Sequence, residues 1–507
     1  MATTPLRTHP SVMYKTKPMK HQARCLKLHG DAPAFALSGD MGTGKTWIIL
    51  NNAAQLWRRG LCNALLVFAP NGVQIAWIRK QLPAHMPDDV HWLAASWSSE
   101  NTKAERQKVD DLLPTSTTLL RILTMNWEAL ATKKGQAIAQ QFAMNSTMLM
   151  IACDESDWIG NPSALRTKGL MSLQHLSTWR RNLTGTPTNG SPYPLFSQYQ
   201  FLDPRILNSP SYWAFKAEHA VMMPPHHPMI KAIVLKHDLK RIPQIEERDA
   251  NGRPIYRNLD RLTTTLAPYT FRVLKKDCLD LPPKVYKPIY FKLTKEQRAV
   301  YRTAEYDLRL AYNGEVTTFH RIAIETKLAQ ITSGYFLHPD AGEPVRIPGK
   351  TPRMDLLIEQ LKAVVSAGRQ AIVWARYSVQ IEDVAAACAA LNIRPCTYYG
   401  QTKKDARTEA REAFQRGEIP VFIGNQQAGG TGIDLFNAYV TFYFSNDFSL
   451  RNREQSEDRV HRKGLTHTAT YVDFIAEDTI DEAVVESLTK KKDVSASIMN
   501  AIQRKGR

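Results

Sequence analysis

Residues 35–50, FALSGDMGTGKTWIIL, constrain the fold of this chain more than any other stretch. An apolar run, a glycine-rich turn and a second apolar run opening with Lys45-Thr46 read as a strand, a phosphate loop and a helix. The spacing Gly39-x-x-x-x-Gly44-Lys45-Thr46 lets the backbone from Gly39 through Met41, Gly42, Thr43 and Gly44 curl round a polyphosphate. Its N–H groups and the helix N-terminus then face the phosphate oxygens. Lys45 is placed to reach β and γ phosphates, and the Thr46 hydroxyl to ligate Mg²⁺, a hard cation that prefers oxygen. The expected cofactors are therefore ATP and Mg²⁺.

A second signal lies downstream. Residues 148–153, MLMIAC, read as a buried strand running directly into Asp154-Glu155. Two acids at the end of an apolar strand are costly unless a cation or a catalytic task compensates them. Asp154 is expected to hold Mg²⁺ through water and Glu155 to orient or deprotonate the attacking water. Residues 184–189, TGTPTN, form a hydroxyl-rich turn suited to sensing a γ-phosphate, and Gln22, at an expected helix start, can offer its amide to an adenine edge. Residues 64–70 and 118–124 read as further parallel strands, and 73–81 as a helix. The strand-end loops carrying Pro70-Asn71 and Asn126 are candidates for touching a nucleic-acid backbone, because ligands gather at the carboxyl ends of parallel strands.

A chain of 507 residues with 43% hydrophobic residues builds two or three cores, and two large lobes are expected. The formal net charge of +18 is spread along the chain and favours a polyanionic partner, nucleic acid foremost. Six cysteines with no ligand-like spacing read as reduced core thiols. Without a signal-peptide pattern or a run of membrane-spanning length, the chain reads as soluble and intracellular, in the cytoplasm or on the nucleoid. His219, His226 and His227 lack the further ligands that a metal site needs.

Beyond residue 286 strand again alternates with helix, implying a second parallel sheet. The expected elements include a strand and charged helix over 287–309, helices over 323–335 and 354–367, and strands over 370–375 and 421–424. The glycines of 427–434, Gly432 among them, permit close backbone approach to phosphate or ribose. Arg459 and Arg462, three apart on an expected helix, can share one face and meet a triphosphate together as planar donors that keep their charge.

GDMGTGKT, DESD, LTGTP, QAGGTGIDL and QSEDRVHR occur in the order of the superfamily-two helicase motifs, and their detail resembles the Swi/Snf branch. The extended acidic box from Asp154, the TGTP-x-N string, and the segment 269–284 carry that likeness, which covers nearly the whole chain. It implies an α/β fold of two tandem RecA-like lobes, each a parallel sheet flanked by helices, with a helical insertion between them. The expected bounds are 1–205 for the first lobe, 206–285 for the insertion and linker, 286–480 for the second lobe and 481–507 for a basic C-terminal helix. The resemblance also implies adenine reading by Gln22, ribose contact by Asp434, an arginine finger at Arg462 with Arg459 as its partner, and backbone contacts from Arg376 and Gln401. In the family, Arg272, Lys275, Lys276 and Lys284 fall where the two lobes are braced. Asp157 stands in place of the usual histidine, Asp434 in place of asparagine, and Phe448-Ser449-Leu450 in place of tryptophan-asparagine-proline.

The expected protein is a nucleic-acid-stimulated ATPase that moves along double-stranded DNA. Two rivals stand beside it. One is a strand-separating helicase acting on DNA or RNA, for which single strands would be the partner. The other is a nucleic-acid-binding scaffold that holds ATP without hydrolysing it, against which the joint presence of Lys45, Glu155 and Arg462 argues.

Overall fold

Strands that are apolar on both faces need cover on both, and the chain supplies it twice. The computed structural model describes residues 14–114, 118–236, 244–249, 254–311, 318–337, 343–402, 404–427 and 434–506. They divide into one unit of Met1–Cys278 with Asp493–Arg507, and a second of Leu279–Lys492.

The first unit holds β1 (Ala34–Gly39), β2 (Ala64–Ala69), β3 (Trp92–Trp97), β4 (Leu120–Asn126), β5 (Leu149–Asp154), β6 (Trp179–Thr184) and β7 (Thr270–Val273). They form one sheet in the order β3-β4-β2-β5-β6-β1-β7, and every pairing is parallel. In β2, Leu65, Val67 and Ala69 enter one core and Ala64, Leu66 and Phe68 the other, as a pleat requires. Because the strands are parallel, Gly39, Ala69, Asn126, Asp154 and Thr184 all end on the same edge of the sheet.

Pairing moves two strand ends from their expected places. Asn126 pairs with Ala69, so β4 runs two residues past the expected 118–124. Asp154 pairs with Leu183, so the acid belongs to the ladder rather than to the loop. The expected helix over 73–81 is an α-turn, Val73–Ala76, a π-turn, Trp77–Gln81, and another α-turn, Leu82–His85. Pro83 has no N–H to give to the carbonyl four residues back and its ring crowds that carbonyl, which widens the preceding turn. The Leu82 N–H accordingly reaches the Trp77 carbonyl.

The stretch 206–285 contributes the helices Tyr212–His219, Pro228–Lys236 and Leu259–Leu266, and also β7, which pairs with β1 from Ala36 beside Thr270 to Gly39 beside Val273. The chain's last helix, Ile480–Lys505, ends in this unit: Ile498, Met499 and Ile502 are buried with Leu195, Phe196, Leu262 and Leu266.

In the second unit, β8 (Lys284–Phe291), β11 (Gln370–Trp374), β12 (Pro395–Tyr398), β13 (Val421–Gly424), β14 (Ala438–Tyr443) and β15 (Ala469–Ala476) form a second parallel sheet, ordered β12-β13-β11-β14-β15-β8. Ala371 and Val373 enter one core, Ile372 and Trp374 the other. A separate antiparallel ribbon pairs β9 (Tyr335–Leu337) with β10 (Pro344–Arg346). The helix expected over 323–335 runs instead over Thr318–Ile331, beginning earlier and ending before the ribbon, since Gly334 turns the chain at φ +91°. Among the described residues no helix is long and apolar enough to cross a membrane.

Candidate functional site

The phosphate loop follows from its glycines. Gly42 and Gly44 have φ of 81° and 78°, and Gly44 caps the helix Lys45–Arg58. A Cβ at Gly44 would come within 2.2 Å of Gln22 Nε2. Lys45 is buried and its Nζ donates to the Gly39 carbonyl at 2.8 Å; Thr43 Oγ1 donates to the Asp40 carbonyl at 2.8 Å. The loop is tied down from β7, where the Lys275 N–H donates to Asp40 Oδ2 at 2.8 Å and the Asp40 N–H to the Val273 carbonyl at 3.0 Å. Gln22 uses both ends of its amide locally, accepting from the Met19 N–H at 2.8 Å and donating to the Gly44 carbonyl at 3.3 Å. Met41 and Thr46 are half-buried beside them.

Asp154 and Glu155 are both buried, and Glu155 has a left-handed backbone with φ 54°. Trp77 Nε1 donates to Asp154 Oδ2 at 2.9 Å, an alignment that the π-turn provides, and Trp127 Nε1 donates to the Asp154 carbonyl at 3.0 Å. Burial, and then the charge of Glu155, push the Asp154 carboxyl up to about 6 against the pull of Lys45 and Trp77. Among the described residues none is hydrogen-bonded to the Glu155 carboxylate. Thr184 Oγ1 donates to Asp157 Oδ1 at 3.1 Å and accepts from the Thr186 N–H at 3.1 Å. The turn after β6 lies against the phosphate loop, where a Cβ on Gly185 would stand 3.5 Å from the Gly39 carbonyl oxygen and 3.7 Å from Met41 N.

Three loops from one sheet edge thus bring Lys45, Thr46, Asp154, Glu155 and the 184–189 turn together. Trp77 and Trp127, which hold Asp154, and Gln198, whose Oε1 accepts from Ser156 Oγ at 2.9 Å, carried no signal in the sequence beyond being polar groups on otherwise apolar segments.

Pro70 is buried, whereas Asn71 is exposed at the carboxyl end of β2. Asn126, at the end of the adjacent β4, uses its side-chain carbonyl to cap the next helical turn, accepting from the Ala129 N–H at 3.1 Å.

In the second unit, the helix Leu450–Glu457 ends before both arginines, so Arg459 and Arg462 do not share a helical face as expected. Asp458 to Arg462 form looser turns, in which the Val460 and His461 N–H groups both donate to the Glu457 carbonyl at 3.2 and 3.1 Å. Arg459 is buried, with its carbonyl accepting from the Leu435 N–H at 2.9 Å, and the half-buried Arg462 is ion-paired with Asp434. Gly432 lies outside the described residues. Arg376 follows β11, half-buried, with its guanidinium 5.1 Å from the Tyr377 ring; Gln401 follows β12 and is exposed.

The helix leading to the arginines is anchored by buried charge. Arg453 bonds to Asp473 and Glu457 and lies over the Tyr443 ring at 3.5 Å, while Lys284 pairs with Glu457 at 2.9 Å. Glu454, half-buried one turn before Asp458, has its carboxyl pushed from 4.5 up to about 8, by burial first and then by the charge of Asp458. A carboxyl raised on folding holds its proton where the unfolded chain has lost it, so stability falls as pH rises from about 4.5 to about 8. Glu454→Gln removes that loss. Its melting temperature is expected to exceed the wild type's by a margin that widens over this window and then levels, which thermal melts across pH would measure.

The SNF2-related domain family matches residues 21–336 of this chain. The chain belongs to that family. A helicase conserved C-terminal domain matches residues 353–464, so the SNF2-related chain carries both domains of a superfamily-two ATPase. The ISWI chromatin-remodeling complex ATPase CHR11 of Arabidopsis thaliana is 23% identical over 94% of this chain and 42% of its own length. The human SWI/SNF-related matrix-associated actin-dependent regulator of chromatin subfamily A member 1 is 28% identical over 45% of this chain and 23% of its own. The Sulfolobus solfataricus SWI2/SNF2 ATPase core in complex with dsDNA is 21% identical, with a TM-score of 0.39 over 96% of this chain and 94% of that one. The SNF2-related chain spans less than half the length of these two curated relatives.

Proposed function

We propose that this chain is a Swi/Snf-type motor that couples ATP hydrolysis to movement along double-stranded DNA. The observation that carries the hydrolytic part is the meeting of Lys45, Thr46, Asp154, Glu155 and the 184–189 turn at one sheet edge. Left-handed glycines, an ammonium resting on a backbone carbonyl and a buried acidic pair fit a nucleotide triphosphate with Mg²⁺. Thr46 and Asp154 would hold the Mg²⁺, which neutralises phosphate charge when bound. Lys45 exchanges the Gly39 carbonyl for phosphate oxygens, with the glycines from Gly39 to Gly44 supplying N–H donors. Gln22 serves the adenine, and Gly432 and Asp434 the phosphate or ribose. Glu155, with unengaged carboxylate oxygens, orients the water and takes its proton. Arg459 and Arg462 act on the γ-phosphate charge.

Movement on duplex DNA is supported by the relative CHR11, which is named as a chromatin-remodeling complex ATPase, and by the net charge of +18. Pro70, Asn71, Asn126, Arg376 and Gln401 would contact the backbone, giving binding that is largely independent of sequence and strongly dependent on salt. Two assays on one preparation test this: displacement of a third strand from a triplex, and release of a labelled strand from a forked duplex. Triplex displacement without unwinding is the expected result. Efficient fork unwinding, or ATPase stimulated by single strands or RNA but not by duplex, would make the protein a strand-separating helicase instead.

A further inference from the structure

Besides the direct bond from Thr184 Oγ1 to Asp157 Oδ1, the acidic loop is joined to the turn after β6 through one residue outside every sequence motif. Gln198 lies on the helix Pro194–Leu202 and is 2% exposed. Its Oε1 accepts from Ser156 Oγ at 2.9 Å, and its Nε2 donates to the carbonyls of Pro187 at 2.7 Å and Pro194 at 3.0 Å. Its own backbone carbonyl accepts from Asn182 Nδ2 at 2.7 Å. Apart from Pro194, which opens the same helix, each partner sits at a motif: Ser156 directly follows Glu155, Pro187 closes the Thr-Gly-Thr-Pro turn, and Asn182 stands two residues before Thr184.

A carboxamide combines an acceptor with two donors and carries no charge, which is what this buried position demands. A carboxylate would lose the donors to Pro187 and Pro194 and add a buried charge. An aliphatic side chain would lose every side-chain bond. Glu155, the residue before Ser156, holds a left-handed φ of 54°, which a non-glycine residue keeps only where its surroundings impose it. The segment following Glu155 is held by the Trp158 N–H donating to the Glu155 carbonyl at 3.1 Å, by Thr184 Oγ1 on Asp157, by Arg166 Nε on the Trp158 carbonyl, and by the Ser156 hydroxyl on Gln198, the bond that lies next to Glu155 in the chain.

We propose that Gln198 is a positioning residue for ATP hydrolysis, holding Ser156 and hence the Glu155 carboxylate in register with the 184–187 turn. A shift of the Pro187 carbonyl passes through the rigid amide to the backbone beside the base. The inference rests on the reading of Glu155 as the base given above.

Steady-state ATPase kinetics on the full chain with duplex DNA test it. Gln198→Met keeps the volume and removes both polar ends. Its kcat is expected to fall about ten- to a hundredfold, as a slightly misplaced base implies. KM for ATP should stay near the wild-type value, because no bond from Gln198 reaches the phosphate loop. Ser156→Ala removes one of the same bonds and should lower kcat less, and the double variant should fall no further than Gln198→Met alone. An unchanged kcat in Gln198→Met, a rise confined to KM, or losses that multiply in the double variant would overturn the inference. If Gln198→Met fails to fold, wild-type kcat in Ser156→Ala overturns it. Wild-type turnover by Glu155→Gln would remove the proposed chemistry and this inference with it, whereas a disabled Glu155→Gln beside an unaffected Gln198→Met removes the inference alone.

Discussion

Arg462→Ala is expected to turn over ATP about a thousandfold more slowly than the wild type while binding ATP almost as well, because an arginine finger acts mainly in the transition state. The rival explanation for such a loss is structural, since Arg462 is ion-paired with Asp434. Magnitudes separate the two. The partners' side chains are 27% and 44% exposed, and pairs of that kind are worth about 0–1 kcal/mol, far short of the roughly 4 kcal/mol that a thousandfold rate loss represents. Asp434→Asn weakens the same pair and serves as the control: its kcat should fall far less. Equal losses in the two variants, or wild-type kcat in Arg462→Ala, would strip Arg462 of the role. Single-turnover hydrolysis alongside nucleotide-binding titrations gives both quantities.

Glu155→Gln is expected to bind ATP yet hydrolyse it at least about a hundredfold more slowly, as loss of a general base implies. Burial first, and then the charge of Glu155, hold the Asp154 carboxyl up at about 6. Removing that like charge lets Asp154 ionise at lower pH, so nucleotide binding with Mg²⁺ should persist to more acidic conditions than in the wild type. Lys45→Ala should do the opposite, weakening ATP binding through loss of the ammonium that reaches the phosphates. The pair thus divides chemistry from binding. Wild-type turnover by Glu155→Gln, measured beside a fluorescent-nucleotide titration, would refute the assignment.

Much of this protein was legible in its residues because its signals are local. A strand, four free residues, then Gly44-Lys45-Thr46 can hardly form anything but a phosphate loop, since Gly42 and Gly44 meet a left-handed requirement within one turn of chain. The unbroken apolar run before Asp154-Glu155 required a central strand, and repeated alternation of strand and helix required two parallel sheets. What tertiary structure alone decided is whatever depends on a partner distant in sequence. Asp154 entered the ladder because Leu183 pairs with it. Pro83 widened a helix so that the Trp77 indole meets an acid 77 positions further on. Arg459 and Arg462 left the helix on which their spacing had placed them, because the turns after Glu457 bury one and pair the other with Asp434. The end of the chain returned to the first unit, where Ile498, Met499 and Ile502 cover Leu195, Phe196, Leu262 and Leu266. Apolar periodicity says that a helix face must be covered; which distant residues cover it is set by the geometry of the folded core.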